Sequence, residues 1–386
     1  MTTPTDDKFE QARALFPHAG TIAYFNSASF GPFSTPVRDA IEENLRFRLE
    51  AEIDDTPGVM AIQDELRGDY AGLIGAAKKE VGIGMNTTFG LNIAAFGLPL
   101  EEGDEVLLSG VEFPALAYTW RAAAEERGLK LRFVEPRDRC FDIDNLAEAV
   151  TDKTRAVALS FVQYFNGYKN DLTAAAEICR RHNMFLVVDG IQGMGAEPID
   201  VKKLGVDIFS SGCQKWMLGP QGCGFFYLPD HIRDELRHPF MGWLGADWKM
   251  NFTDLFKYDL PYFDSARRFE MGYYAALNIL GMKASVRLFQ DLGIEKIQRH
   301  NHALIDRLHD YVRAHEFYIC TSVMDERHRS SIYSFTCRGY ERLHELLMSR
   351  RIITAVREGS IRVSVHLFNN EQDIDRLIAG LDDFAV

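Results

Sequence analysis

Short apolar runs alternate with longer amphipathic segments through the middle of this chain, and this alternation restricts the fold more than any other feature. Helical patterns such as Ala115–Arg127 and Leu172–His182 separate the runs. The alternation predicts right-handed βαβ units and therefore an α/β fold with a mostly parallel sheet. The runs expected to form buried strands are Glu105–Leu108, Leu131–Val134, Ala156–Phe161, Phe185–Val188, Ile208–Ser210 and Gly224–Leu228.

The pattern changes after Asp264, where a long helical stretch over about 274–317 leads into a mixed segment. In that segment Ile332–Cys337 and Ser360–Val365 are expected strands, and Glu341–Arg350 and Glu371–Phe384 are expected helices. Three regions follow from these patterns. Residues 46–264 form a large domain, 265–386 form a small C-terminal α/β domain, and 1–45 form an N-terminal segment that packs with the small domain.

Charge and composition restrict the partners of this 386-residue chain. A formal net charge of -13 disfavours general affinity for nucleic acid or for an anionic membrane surface. No apolar stretch is long enough to span a bilayer, and the first ten residues contain no apolar signal core. The six cysteines are scattered without CxxC pairs, so we expect reduced thiols, no metal site and a cytoplasmic protein.

Two apolar runs end in residues that can carry chemistry. Leu186–Val188 leads into Asp189, at the end of a predicted parallel strand, where α/β sheets place ligand-binding groups. The next run leads into Lys215, which is flanked by small and aromatic residues that lower the pKa of an amine by desolvation. The alternatives are a turn or helix-cap role for Asp189 and, for Lys215, a strand-end lysine that extends toward solvent.

Two further motifs fit anionic groups. In Asn86–Ile93, Thr87 and Thr88 precede a helical apolar run, and such a helix N-terminus can bind a phosphate. In Ile361–Val365, Arg362 stands within an apolar strand pattern and is suited to bidentate capture of a carboxylate. An ordinary N-cap and a surface salt bridge are the alternatives.

Taken together, these motifs resemble the aminotransferase class V group of fold-type I enzymes that use pyridoxal 5′-phosphate (PLP). The group includes cysteine desulfurases, isopenicillin N epimerase-like proteins and kynureninase. The resemblance runs from Tyr24–Pro32 to the last predicted helix. It implies a large domain with a mostly parallel sheet of the seven-stranded type, flanked by helices, and a smaller α/β domain built from the terminal segments.

The resemblance also implies roles for individual residues. Lys215 matches the Schiff-base lysine, and Asp189 matches the carboxylate that holds the pyridine nitrogen protonated. Tyr273, in Phe269–Tyr273, matches a segment that reaches the phosphate of a neighbouring subunit, which implies a homodimer with shared sites. The other implied cofactor contacts are Thr87 and Thr88 in the phosphate cup, Gln214, Gln192 at the phenolic oxygen, and Phe113 stacked on the ring. The implied substrate contacts are Arg362 for the carboxylate, with Tyr164, Arg357 and Asn26 in the same pocket.

The expected reaction takes place at the α-carbon of an amino acid, with Lys215 as base and acid. We expect a lyase, either C–S or β-eliminating, or an epimerase. An aminotransferase is the alternative, and a catalytically silent PLP-binding protein is a further one. The interval Arg351–Ser360 holds no cysteine, so we expect an enzyme other than a persulfide-forming cysteine desulfurase. The aromatic segment Phe240–Leu244, with Trp248, either lines the substrate entrance or belongs to the core.

Overall fold

The computed structural model describes residues 4–50, 56–249 and 251–385. Its strands are β1 (Ala23–Tyr24), β2 (Val81–Gly84), β3 (Glu105–Ser109), β4 (Lys130–Val134), β5 (Thr154–Ser160), β6 (Phe185–Asp189), β7 (Ile208–Gly212), β8 (Gly224–Tyr227), β9 (Ile319–Cys320), β10 (Ile332–Thr336), β11 (Ile352–Ile353), β12 (Ala355–Arg357) and β13 (Ser360–Ser364).

The α-helices alternate with the strands through the centre of the chain. They are α1 (Pro4–Ala14), α2 (Thr35–Glu50), α3 (Thr56–Ile74), α4 (Thr87–Gly97), α5 (Pro114–Arg127), α6 (Ile143–Ala149), α7 (Leu172–Arg181), α8 (Val201–Leu204), α9 (Asp230–Glu235), α10 (Ala276–Leu292), α11 (Ile294–Ala314), α12 (Tyr340–Ser349) and α13 (Glu371–Ala385).

A seven-stranded sheet in the order β2-β8-β7-β6-β5-β3-β4 forms the centre of the molecule. β8 is antiparallel to both of its neighbours, and the pairs among β3, β4, β5, β6 and β7 are parallel. The expected α/β fold with a mostly parallel sheet is therefore confirmed. All six predicted strands are present, whereas β2 was not predicted, because its sequence Val-Gly-Ile-Gly carries two glycines. Gly82 is needed there, since a Cβ atom would lie 2.1 Å from the Phe226 ring.

Alternate residues of the strands fill two apolar layers, one on each face of the sheet. Phe209 and Phe225 belong to one layer, in which Tyr70 stacks on Phe225 with ring centroids 4.0 Å apart. Their neighbours Ile208 and Phe226 belong to the layer on the other face. Both faces are thus covered, as a parallel sheet requires, and the strand ends remain as the place for polar groups.

The C-terminal part has a core and a sheet of its own. The antiparallel sheet β12-β13-β10-β9 packs with α11, α12 and α13 around an apolar cluster that includes Phe335 and Val363. Strand β1 pairs in parallel with β11, with Ala23 opposite Ile352. This pairing supports packing of the N-terminal segment with the small domain, although the boundaries at 45/46 and 264/265 stay predictions.

The long helical stretch expected over 274–317 is two helices, α10 and α11. Gly293 separates them with a φ of 82°, a left-handed conformation that favours glycine. A periodicity that continues across such a break cannot reveal it, because both helices bury apolar faces. No helix within the described ranges is long and apolar enough to cross a membrane.

Candidate active site

The candidate site lies at the carboxyl ends of the parallel strands. Ser160, Asp189 and Ser210 stand in register on β5, β6 and β7, so the end of each strand adjoins the next. The Asp189 side chain is buried, and one of its carboxylate oxygens accepts a hydrogen bond from the Ile191 N–H at 3.0 Å. Burial raises the pKa of Asp189 to about 6, while the neighbouring Lys215 charge acts in the opposite direction.

Lys215 follows β7 and shares the cleft with Asp189. Burial lowers the pKa of its amine to about 8; the Asp189 charge opposes this shift, and the Arg362 and Arg357 charges add to it. The Lys215 Nζ atom lies 5.3 Å from the centroid of the Phe113 ring. An amine with this pKa is partly neutral near pH 7, which both imine formation and proton acceptance need.

A small polar cradle joins the start of α4 to the end of β7. Asn86 caps α4 by accepting the Phe89 N–H, and the Thr87 hydroxyl oxygen accepts the Gly212 N–H at 2.8 Å. A Cβ atom on Gly212 would lie 2.5 Å from the Gln214 amide oxygen and 3.2 Å from the Thr87 hydroxyl, so only glycine fits here. The Gln214 amide oxygen is buried without a hydrogen-bond partner among the described residues. The helix N-terminus and the Thr87 hydroxyl fit a phosphate group, and the Gln214 side chain fits it once its amide is rotated to present the N–H groups.

Two other predicted cofactor residues occupy defined positions. The Gln192 amide donates to the Ala28 carbonyl at 3.1 Å and accepts the Trp216 indole N–H at 3.0 Å, so one of its N–H groups remains for a ligand. Thr88 is the second residue of α4, and its carbonyl accepts a hydrogen bond from the Asn92 side chain. The cleft thus has hydrogen-bonding groups suited to PLP at Asp189, at the polar cradle and at Gln192. The roles of these residues stay predictions.

Arg362 is a buried cation whose hydrogen-bond acceptors in the described residues are all neutral. Its guanidinium donates to the Tyr164 carbonyl at 2.6 Å, the Ser29 hydroxyl at 2.7 Å and the Asn26 amide oxygen at 3.4 Å. The Nε atom is buried without a partner in that part of the chain. Burial lowers the pKa of Arg362 to about 9, and the Arg357 charge adds to the effect. A buried guanidinium with neutral acceptors suits an anionic ligand.

The remaining substrate candidates surround Arg362. Arg357 donates to the same Ser29 hydroxyl at 3.1 Å, and the Tyr164 ring packs edge-on against Phe113 with centroids 5.3 Å apart. The Tyr164 hydroxyl donates to the Glu358 carboxylate at 2.9 Å. The structure therefore brings Asn26, Tyr164, Arg357 and Arg362 together. Ser29 and Glu358 were missed, because Ser29 lies in an irregular segment between β1 and α2 and Glu358 lies in a two-residue turn.

Tyr273 is the predicted cofactor residue that the structure does not bring to the cradle. Its side chain is 60% exposed, and the ring contact that the structure gives it is with Trp243, at 5.1 Å. A role at a neighbouring subunit stays a prediction. In the same region Leu244 and Trp248 are buried, while Met241 and Trp243 remain 40% exposed, so the aromatic segment is partly core.

Comparisons with known proteins agree on the family. The family model for "Aminotransferase class-V" matches residues 56–377. The Bacillus subtilis protein YcbU, named an uncharacterized aminotransferase, is 27% identical over 384 residues, which cover 96% of each chain. A probable cysteine desulfurase of Halobacterium salinarum is 26% identical and covers 94% of this chain and 91% of its own.

Solved structures share the fold over almost the whole chain. The cystine C–S lyase C-DES in complex with its product, cysteine persulfide, superposes with a TM-score of 0.87. It is 25% identical and covers 95% of this chain and 99% of its own. A lysine-to-alanine variant of C-DES, with glycine covalently linked to its PLP cofactor, has a TM-score of 0.89 at 24% identity and covers 96% and 99% of the two chains.

The expectation that excluded a persulfide-forming cysteine desulfurase is wrong. Several relatives are named cysteine desulfurases or probable cysteine desulfurases. The exclusion depended on the missing cysteine between Arg351 and Ser360, and one side chain does not exclude a reaction class found among relatives that match most of the chain. In the C-DES complex the persulfide is a small-molecule product, cysteine persulfide.

The family model covers most of the chain, and the relatives and the fold agree with it. The expected cofactor, PLP, is confirmed with the family, since enzymes of this class use it. The chain belongs to the aminotransferase class-V family.

Proposed function

We propose that this chain is a PLP-dependent lyase that breaks the carbon–sulfur bond of a cysteine-type amino acid. The observation that carries the proposal is the buried Arg362 guanidinium, whose charge acts on the Lys215 amine, as the Asp189 charge also does. An arginine that has no anionic partner among the described residues fits the α-carboxylate of an amino acid. The preference for C–S cleavage is supported by the similarity to the cystine C–S lyase C-DES and to named cysteine desulfurases.

Each residue of the cleft has a task that follows from its geometry. When bound, PLP withdraws electrons from the substrate α-carbon and so weakens the bonds at that atom. Asp189 supplies a buried negative charge at the end of β6, suited to a protonated pyridine nitrogen. Phe113 offers an aromatic face near Lys215 Nζ. Thr87 offers its hydroxyl, and Gln214 the N–H groups of its amide, as donors for a phosphate.

Lys215 Nζ is the proposed proton carrier. Its pKa of about 8 leaves a fraction of the amine neutral near pH 7, so Nζ can accept the α-proton of a bound amino acid. In an elimination the electron pair of the former Cα–H bond then expels the sulfur from Cβ. The carbon product, 2-aminoacrylate, is hydrolysed by water to pyruvate and ammonia, and the sulfur leaves as sulfide from cysteine or as a persulfide from cystine.

Desulfuration of cysteine to alanine, in which a thiol accepts the sulfur and becomes a persulfide, is the second candidate, favoured by the names of several relatives. Transamination and epimerisation begin with loss of the same proton, and YcbU supports the former by name. We also propose a cytoplasmic homodimer with shared sites, in which the exposed Tyr273 faces a second copy of the chain.

One panel of amino acids separates these reactions. Holoenzyme incubated with cysteine, cystine, alanine and a large apolar amino acid is assayed for pyruvate, ammonia, sulfide or persulfide, alanine and inverted stereochemistry. We expect pyruvate, ammonia and reduced sulfur in equal amounts from a sulfur substrate. Alanine with sulfur would favour desulfuration instead, and keto-acid formation that needs an amino acceptor would favour an aminotransferase. No reaction with any substrate, while PLP remains bound, would support the catalytically silent alternative.

A further inference from the structure

Lys215 lies in a short loop, Cys213–Leu218, which we call the lysine loop. Leu218 ends it with a φ of 52°, a left-handed conformation that is unfavourable for leucine and persists only where other contacts hold the backbone. Every carbonyl from Cys213 to Met217 accepts a hydrogen bond. In chain order the donors are the Gly219 N–H at 2.9 Å, the Gly31 N–H at 2.8 Å, the Leu218 N–H at 3.2 Å, His366 Nε2 at 2.8 Å and the Ser285 hydroxyl. The shape of the loop therefore depends on segments that are remote in the sequence.

His366 is the donor whose two ring nitrogens both have a defined role. Its Nδ1 atom accepts the Leu367 backbone N–H at 2.8 Å, and a backbone N–H can only donate. Nδ1 therefore carries no proton, so the neutral ring has its proton on Nε2 and donates it to the Trp216 carbonyl at 2.8 Å. The side chain is fully buried, and burial lowers the pKa of His366 to about 4, so the ring stays neutral near pH 7.

Trp216 connects His366 with two residues of the cleft. It follows Lys215 directly, so fixing its carbonyl restricts the backbone that carries the amine. Its indole N–H, which can only donate, contacts the Gln192 amide oxygen at 3.0 Å. The Gln192 amide nitrogen is thereby directed to the Ala28 carbonyl, with one N–H left for a ligand. Trp216 is 1% exposed, so solvent does not replace these contacts when one of them is lost.

We propose that His366 is a positioning residue of this active site. Acting through Trp216, it fixes the backbone of Lys215 and the amide of Gln192. It stands two residues after β13, the strand of Arg362, and so connects the substrate arginine with the lysine loop. The idea rests on the proposed function for the task of Lys215, and it holds whichever bond of the substrate is broken.

Two substitutions of His366 divide its contacts between them. Asparagine places an amide oxygen near the position of Nδ1 and can accept the Leu367 N–H, but it has no atom at the position of Nε2. Glutamine reaches that position with its amide nitrogen and can donate to the Trp216 carbonyl, but it offers Leu367 no acceptor. Each variant leaves one buried backbone group unpaired, so both should lower the Tm of the full chain.

Only His366→Asn should lower turnover. With the substrate found in the amino-acid panel, kcat should fall about 10-fold, because a small displacement of Lys215 moves the proton carrier away from the α-carbon. KM should change less than about 2-fold, since Arg362 keeps its contacts. His366→Gln should keep kcat within about 2-fold of the wild type. Equal losses of kcat in the two variants would overturn the proposal, because activity would then follow stability.

The absorption spectrum of the enzyme with PLP bound tests the same connection without a substrate. The spectrum changes with pH as the nitrogen that joins PLP to the lysine loses its proton. An N–H from Gln192 to the phenolic oxygen stabilises the negative charge there and favours the deprotonated form. His366→Asn should therefore raise the midpoint pH by about 0.5 unit, and His366→Gln should leave it in place. An unchanged midpoint in His366→Asn would contradict the proposal.

Trp216→Phe is the second variant, for use if His366→Asn does not fold. It removes the indole N–H and should raise the midpoint pH in the same way. Trp120→Phe is its matched control, because the Trp120 side chain is also buried and its indole nitrogen has no hydrogen-bond partner in the described ranges. The control should keep the wild-type midpoint, and an equal midpoint in Trp216→Phe would refute the connection to Gln192. These spectra need no substrate, so their failure would leave C–S cleavage intact, and a failure of C–S cleavage would leave the spectra standing.

Discussion

Replacing Lys215 with alanine should lower turnover by at least about 10³-fold, the largest effect expected for any side chain of this protein. The change removes both the amine that binds the cofactor covalently and the group that carries the α-proton. Steady-state assays with the sulfur substrate found in the amino-acid panel measure the loss. The fold should persist, because the amine is a desolvated cation whose removal relieves a cost of burial.

Two further variants show whether the loss of activity comes from the missing neutral amine, from the missing positive charge or from general damage to the fold. Lys215→Arg keeps a positive charge but offers no neutral amine near pH 7, so it should be as inactive as Lys215→Ala. Lys202→Ala alters a lysine that pairs with Glu80 at 2.8 Å outside the cleft, and it should retain activity. If Lys215→Ala kept most of the wild-type rate, the assignment of the amine would be refuted.

Replacing Arg362 with alanine should lower kcat/KM for an amino-acid substrate at least about 30-fold. This corresponds to about 2 kcal/mol for loss of a charged hydrogen-bonded contact. The guanidinium is 1% exposed and meets neutral acceptors in the described residues, so a substrate carboxylate would be its anionic partner. Most of the loss should fall on KM, since the α-carboxylate is bound before and during proton transfer.

A ligand without a carboxylate distinguishes recognition from structural damage. Two ligands are compared: cysteine, and the amine that differs from cysteine only in lacking the carboxylate. The change in the absorption spectrum of the bound cofactor reports the binding of each. Arg362→Ala should weaken cysteine binding and leave binding of the amine nearly unchanged. Arg362 also holds the Tyr164 carbonyl and the Ser29 hydroxyl, so equal losses for both ligands would assign it a purely structural part.

The sequence predicted those features that follow from short-range patterns. The six central strands and the positions of Asp189 and Lys215 at strand ends follow from apolar runs that stop at a polar residue. What it missed depends on contacts between distant segments. In strand β2, Gly82 packs against Phe226 and Gly84 against Phe89, and α10 and α11 are separated by the conformation of Gly293.

The residues of the candidate site also divide into those that a short-range pattern predicts and those that depend on contacts between distant segments. Arg362 could be singled out because an arginine inside an apolar strand is unusual. Its partner Ser29 could not, since more than three hundred residues separate the two. The reaction type proved hardest, because one missing cysteine was too little to exclude a reaction class.

The most direct test is to locate the lysine that carries the cofactor. Holoenzyme is reduced with borohydride, which fixes the bond between lysine and PLP, and is then digested and mapped by mass spectrometry. A pyridoxyl group on Lys215, absent from the Lys215→Ala variant, is the predicted result. A modified lysine elsewhere in the chain, or no modified lysine in a protein that binds PLP, would contradict the account.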